Sequence, residues 1–95
     1  MITPYNVIFN EIPDPGDMEP NEIYIESEDG EYFQAAMICC CGCNEVLYMN
    51  LCKQIKPCWS VEIDKDGLVT FIPSINRIVG CKSHFWIRNG VIQWA

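Results

Sequence analysis

Apolar and polar residues alternate along several short stretches of the chain, and this two-residue period predicts β-strands. The alternation is clearest in EIYIESE at 22–28, and EYFQAAMI follows at 31–38. Short runs rich in β-branched and aromatic residues, bounded by turn residues, are typical of strands. The same pattern predicts strands at 5–12, 22–28, 31–38, 45–51, 59–63, 68–72, 84–88 and 91–94.

Turn residues between these runs predict hairpins. The sequence DKDG at 64–67 separates two alternating runs, and Asn89-Gly90 separates the last two. Asn and Gly tolerate the positive φ that a type I′ turn requires. The three prolines within 13–21 indicate a loop, and PSINRIVG at 73–80 is predicted to be a loop or one short helical turn. We therefore predict a mostly β fold, a small antiparallel β-domain built of hairpins.

The length of the chain fits one domain. Its 95 residues lie near the usual size of a single domain, and a chain this short builds only a thin core. We predict a single domain, 1–95, with acidic N-terminal strands in 1–32 and a metal-binding hairpin core in 33–95. A thin core makes a stabilising metal ion more valuable to the fold.

The charge distribution argues against binding of nucleic acid. The net charge is −7, and no basic residue precedes Lys53. Affinity for nucleic acid depends on neutralising phosphates, which an acidic first third does not favour. The chain has no apolar run long enough for a membrane span and no signal-peptide pattern. We expect a cytoplasmic protein with a protein partner of unknown identity and no membrane partner.

Clustered cysteines provide the strongest chemical signal. The segment MICCCGCNE at 37–45 holds four of the seven cysteines, and GCKSHFWI at 80–87 adds Cys81 and His84 in a C-x-x-H arrangement. In a reducing compartment such clusters bind metals more often than they form disulfides. Two thiols at one turn, with a thiol and an imidazole at another, form the Cys₃His ligand set of structural zinc.

Spacing alone leaves the choice of ligands at the first turn open. Cys40 and Cys43 form the usual C-x-x-C pair, whereas Cys41 and Cys43 form a C-x-C pair around Gly42. Cys52 and Cys58 lack a glycine turn and a partner histidine, and free cysteines are commonly small buried hydrophobes. We therefore predict that Cys52 and Cys58 are not ligands.

Three segments together resemble a small bacterial and phage family catalogued as domain of unknown function 6527. They are CCCGCNEVLYMNL, WSVEIDKDGLVTFIPSI and GCKSHFWIRNGVIQW, and the resemblance covers roughly residues 33–95. It implies that Cys39, Cys41 and Cys43 match family cysteines, and that Asn44 stands where a glycine is common. It favours Cys41, Cys43, Cys81 and His84 as ligands, with Cys39 and Cys40 as alternatives. Some relatives are encoded beside ubiquitin-like proteins and their conjugating enzymes, which implies an accessory role.

These observations predict a zinc-binding adaptor domain with a structural Cys₃His site. One alternative is a Cys₃His [2Fe–2S] protein, since C-x-C with a further cysteine and a histidine can hold such a cluster. Another is an enzyme that uses a Cys40 thiolate or a zinc-bound water activated by Glu45. The chain lacks G-x-S-x-G, H-E-x-x-H and phosphate-loop motifs, and the balance of motifs favours a non-enzymatic role.

Overall fold

The computed structural model describes residues 4–77 and 80–95, and its regular structure is almost entirely β. A single 3-10 turn, Pro15–Asp17, interrupts the strands of this part of the chain. The strands are β1 (Asn6–Phe9), β2 (Glu22–Glu28), β3 (Glu31–Ile38), β4 (Val46–Asn50), β5 (Ser60–Ile63), β6 (Val69–Ile72), β7 (Ile75–Asn76), β8 (His84–Arg88) and β9 (Val91–Trp94).

The strands form three small sheets. The largest has the order β1-β2-β3-β4, a hairpin pairs β5 with β6, and the third sheet has the order β7-β8-β9. All of these pairs are antiparallel except β1 with β2, which run parallel across the connection 10–21. A parallel pair needs a long crossover, and the proline-rich loop supplies it here.

Alternation along the strands places one face of the large sheet in the main core. Ile23, Ile25, Ala35 and Met37 are fully buried on that face. They belong to one cluster with Phe71 and residues of β8. The opposite face is covered by the 10–21 connection, through a smaller cluster around Met18, Tyr24 and Ala36.

The β8–β9 turn fastens the third sheet to the rest of the domain. Asn89 and Gly90 have φ values of 52° and 77°, as a type I′ turn requires. The Gly90 N–H donates to the carbonyl of Val69 at 2.7 Å, and the N–H of Tyr5 donates to the carbonyl of Gly90 at 2.8 Å. The turn is therefore held between β6 and the N-terminal segment.

The predicted fold class is confirmed, and four strands have the predicted bounds: β2, β3, β8 and β9. The segment 73–80 differs from its prediction as a loop or helical turn, because it contains the two-residue strand β7, paired with β8. Ile78 and Val79 of that segment lie outside the described residues. Within the described ranges, no helix has the length and apolar character needed to cross a membrane.

Candidate functional site

Four cysteine sulfurs converge at one end of the domain. The Sγ atoms of Cys39, Cys41, Cys43 and Cys81 all lie within 4.8 Å of one another. Cys39 donates to the Cys41 sulfur at 3.4 Å, and the Cys39 and Cys81 sulfurs are 3.7 Å apart. Two segments that are far apart in sequence therefore meet at a single cluster of thiols, which we call the thiol cluster.

Local backbone geometry explains how one turn supplies three of these sulfurs. Cys39 follows Met37 on the buried face of β3, and its N–H donates to the carbonyl of Glu45 at 2.8 Å, which closes the turn. Within the turn, Gly42 and Asn44 have φ values of 93° and 63°. Such left-handed positions favour Gly and tolerate Asn. The chain thereby folds back so that Cys39, Cys41 and Cys43 face a common centre.

The fourth sulfur comes from the connection between β7 and β8. Gly80 and Lys82 flank Cys81 with φ values of 70° and 56°. A side chain at Gly80 would begin 3.2 Å from a carboxylate oxygen of Glu45, so glycine also permits close approach of the two turns. Both halves of the thiol cluster are thus built on tight turns, as predicted from the sequence.

The spacing of the sulfurs suits one tetrahedral metal ion. A Zn–S bond of roughly 2.3 Å implies sulfurs about 3.8 Å apart at the corners of a tetrahedron. The observed separations of 3.4 and 3.7 Å, and the 4.8 Å limit for the whole set, bracket that value. Clusters with two or more irons spread their thiolates over several metal atoms, which needs wider spacing. The donor set therefore fits a single thiophilic ion.

The thiols of the cluster differ in pKa because they differ in hydrogen bonding and in burial. The Ser83 hydroxyl, whose oxygen lies 3.1 Å from the Cys81 sulfur, lowers the pKa of Cys81 to about 6. The same hydroxyl also lowers the pKa of Cys41. Burial raises the pKa of Cys39 to about 12. A bound cation would favour the thiolate form of Cys39 as well, because coordination deprotonates a thiol.

The Arg77 side chain contacts two sulfurs of the thiol cluster and the carboxylate of Glu45. Its guanidinium donates to the Cys81 sulfur at 3.1 Å and to Cys43 at 3.7 Å, and it forms a 2.9 Å ion pair with Glu45. The ion pair with Glu45 raises the pKa of Arg77 further above its ordinary value. A fixed positive charge beside thiolates offsets the negative charge of a four-thiolate site, as outer-sphere partners of metal ligands commonly do.

The structure places His84 elsewhere. His84 is not among the four convergent ligand residues, and its Nε2 atom lies 2.9 Å from Oγ of Ser74. Cys39 occupies the fourth corner of the thiol cluster instead. The Cys₃His set predicted from the sequence and the four-thiol set of the structure thus share Cys41, Cys43 and Cys81 and differ in one member.

The Ser74–His84 pair results from the register of β7 and β8. Asn76 lies directly opposite His84, and Ile75 opposite Phe85. Side chains two residues apart on one strand share a face, so Ser74 is the diagonal neighbour of His84 across the two strands. Ile75 and Phe85, on the other face, are buried in the core and fix this register.

A serine hydroxyl bonded to a histidine Nε2 can act as a nucleophile. Neutral imidazole accepts the hydroxyl proton as the oxygen attacks a carbonyl carbon, and it later returns that proton to the leaving group. Ser74 is half-buried and His84 is exposed, so a substrate can reach both. The indole N–H of Trp59 donates to the carbonyl of Ser74 at 3.3 Å and holds the serine backbone in place.

The two enzymatic alternatives raised by the sequence lack support in this geometry. Burial raises the pKa of Cys40 to about 11, which keeps that thiol protonated at neutral pH. Glu45 is engaged by Arg77. Four convergent sulfurs also leave no open metal position for a catalytic water.

A family model described as "Bacterial ubiquitination-like system serine protease (BubE)" matches residues 10–95. The chain belongs to this family. The match confirms the bacterial ubiquitin-like context that the sequence resemblance implied, under a different family name from domain of unknown function 6527. No curated protein and no solved structure matches the chain at a significant level.

Proposed function

We propose that the chain is a serine hydrolase that cleaves an acyl bond in a protein of a bacterial ubiquitination-like system. The observation that carries this proposal is the 2.9 Å contact between Ser74 Oγ and His84 Nε2. The matching family, described as a serine protease of such systems, supports it independently. This role replaces the non-enzymatic adaptor favoured by the sequence, and it keeps the accessory relation to ubiquitin-like conjugation.

The reaction proceeds in two balanced steps. Ser74 Oγ attacks the carbonyl carbon of the substrate while its proton passes to His84 Nε2, and that proton then leaves with the amine product. Water next attacks the acyl-serine ester, again losing a proton to His84, and Ser74 regains its hydrogen as the acid product departs. General acid–base catalysis by a positioned histidine is worth roughly 10²–10⁴-fold.

The metal has a structural part in this proposal. Cys39, Cys41, Cys43 and Cys81 would hold one zinc ion, and the closed set of four thiolates leaves it no role in the chemistry. The ion would tie the β3–β4 turn to the segment 77–83, which joins the strand after Ser74 to the strand that begins at His84. A reducing cytoplasm would keep these thiols available for the metal.

Labelling of the full chain with a fluorophosphonate probe, which reacts with activated serines, tests the proposal. We expect one label on Ser74, none in Ser74→Ala, and labelling at least about 100-fold slower in His84→Ala. Ser27→Ala is the matched control, since Ser27 is exposed on β2, and it should label like the parent. Tryptophan fluorescence would check that each variant is folded. Equal labelling of Ser74→Ala and the parent would refute the proposal.

A further inference from the structure

A cavity lined in part by Trp59, the residue whose indole contacts Ser74, is not used by the proposed chemistry. Its volume is about 440 Å³, and aromatic and aliphatic residues form much of its lining. The apolar part comprises Tyr32, Phe33, Leu51, Trp59 and Val61. We call this cavity the aromatic pocket.

The aromatic pocket is joined to the nucleophile through one side chain. Trp59 lines the pocket, and its indole N–H donates to the carbonyl of Ser74 at 3.3 Å. The neighbouring Ser60, which also lines the pocket, pairs with Ile72 two residues before Ser74. An extended peptide advances roughly 3.3–3.6 Å per residue. Because Trp59 contacts Ser74 and also lines the pocket, the pocket begins one side chain away from the nucleophilic residue, toward which a bound substrate would extend.

The residues that line the pocket indicate which class of substrate side chain it would bind. Tyr32 and Phe33 are each 37% exposed, although large apolar side chains gain free energy when they are buried. Glu31 and Lys53 also line the cavity, and their opposite charges leave it without a net preference for an ion. Specificity pockets are typically apolar hollows with a few polar groups.

We propose that the aromatic pocket is the specificity subsite of this hydrolase and takes a large uncharged apolar side chain, aromatic or long aliphatic, next to the bond that is cleaved. The inference rests on the proposed function, because Ser74 defines which bond is near. Trp59 thereby has two parts: its ring forms a wall of the subsite, and its N–H positions the carbonyl of the nucleophile.

A pair of model substrates tests the subsite. The p-nitrophenyl esters of N-acetylphenylalanine and N-acetylglycine differ only in the side chain offered to the pocket. We expect a kcat/KM ratio of roughly 10- to 100-fold in favour of phenylalanine, as burial of an aromatic side chain allows. Phe33→Ala should reduce this ratio by at least about 3-fold. Tyr48→Ala is the matched control, because Tyr48 is 50% exposed on the same sheet and outside the pocket, and it should leave the ratio unchanged.

Direct binding separates failure of the subsite from failure of the proposed function. N-acetylphenylalanine amide, titrated into isotope-labelled Ser74→Ala, should shift the amide resonances of Phe33 and the indole resonance of Trp59, whereas N-acetylglycine amide should not. If esterase activity depends on Ser74 but shows no preference for the side chain of the substrate, the subsite is refuted and the proposed hydrolase function is retained. Absence of Ser74-dependent turnover would refute the hydrolase, and the amide titration would then decide on the subsite alone. No shift with the phenylalanine amide overturns the subsite in either case.

Discussion

Removal of the metal ion should disorder the segment that carries the Ser74–His84 pair. The thiol cluster joins the β3–β4 turn to Cys81, which lies three residues before His84. A chelator such as a dipicolinate removes the ion without changing any side chain. The perturbation therefore isolates what the ion contributes to the fold.

The expected effect is large in comparison with the stability of the domain. Structural zinc binds small peptides with an apparent ~10–16 kcal/mol at neutral pH, and that binding is coupled to folding. The net stability of a domain is typically only about 5–15 kcal/mol. Among the described residues, the Arg77–Glu45 ion pair is an electrostatic link between these parts of the chain that does not involve a thiol. Because the Glu45 side chain is 51% exposed, such a pair contributes about 0–1 kcal/mol and does not replace the metal.

The assay follows metal content, tryptophan fluorescence, melting temperature and fluorophosphonate labelling through one chelator titration. We expect all four signals to change together, with a fall in melting temperature of more than about 10 °C. Cys43→Ser should reproduce the effect, while Cys58→Ser, which alters a thiol outside the cluster, should retain one equivalent of metal. If the metal leaves while the melting temperature and tryptophan signal stay constant, the structural role of the ion is refuted.

Three further predictions follow from single positions. His84→Ala should lose labelling of the nucleophile and keep one equivalent of metal, because its imidazole faces Ser74; loss of metal would restore His84 as a ligand. Cys40→Ser should also keep the metal by elemental analysis, since Cys40 is outside the thiol cluster, and a metal-free variant would contradict this. Gly90→Ala should lower the free energy of unfolding by about 2–4 kcal/mol in urea titrations, from the left-handed backbone and a 3.0 Å contact with Pro4. Gly67→Ala, with positive φ and open space, is its control and should cost only about 1–2 kcal/mol; equal losses would refute the contribution of the contact.

Local patterns predicted most strands but could not predict β7. Alternation and turn residues are properties of neighbouring residues, so the bounds of β2, β3, β8 and β9 could be predicted from the sequence. β7 spans two residues, which is too short for any period to be visible. It is a strand because it pairs with β8, and that pairing is set by the burial of Ile75 against the core.

The thiol cluster could be predicted from the sequence in outline, but its fourth member could not be chosen from spacing. The C-x-x-H spacing of Cys81 and His84 is typical of zinc sites, and His84 was included in the predicted ligand set for that reason. One signal favoured Cys39: it continues the alternation of Ala35 and Met37 onto the buried face of β3. When the two-residue alternation of β3 is continued one residue past the end of the strand, the Cys39 sulfur points toward the core.

The Ser74–His84 pair carries no local motif. The two residues are ten positions apart, Ser74 directly before β7 and His84 at the start of β8, and the register of these strands brings them together. Sequence reasoning therefore found the two cysteine-bearing turns, in each of which the residues are close in sequence, and missed the pair formed by non-local pairing.

The site of covalent acylation tests the central claim most directly. The metal-loaded chain would be mixed with the p-nitrophenyl ester of N-acetylphenylalanine, quenched in acid within the first turnover, and mapped by peptide mass spectrometry. We predict a single acyl group on Ser74 of the parent and none at that position in His84→Ala. An acyl group on one of the seven cysteines with Ser74 unmodified would contradict the account.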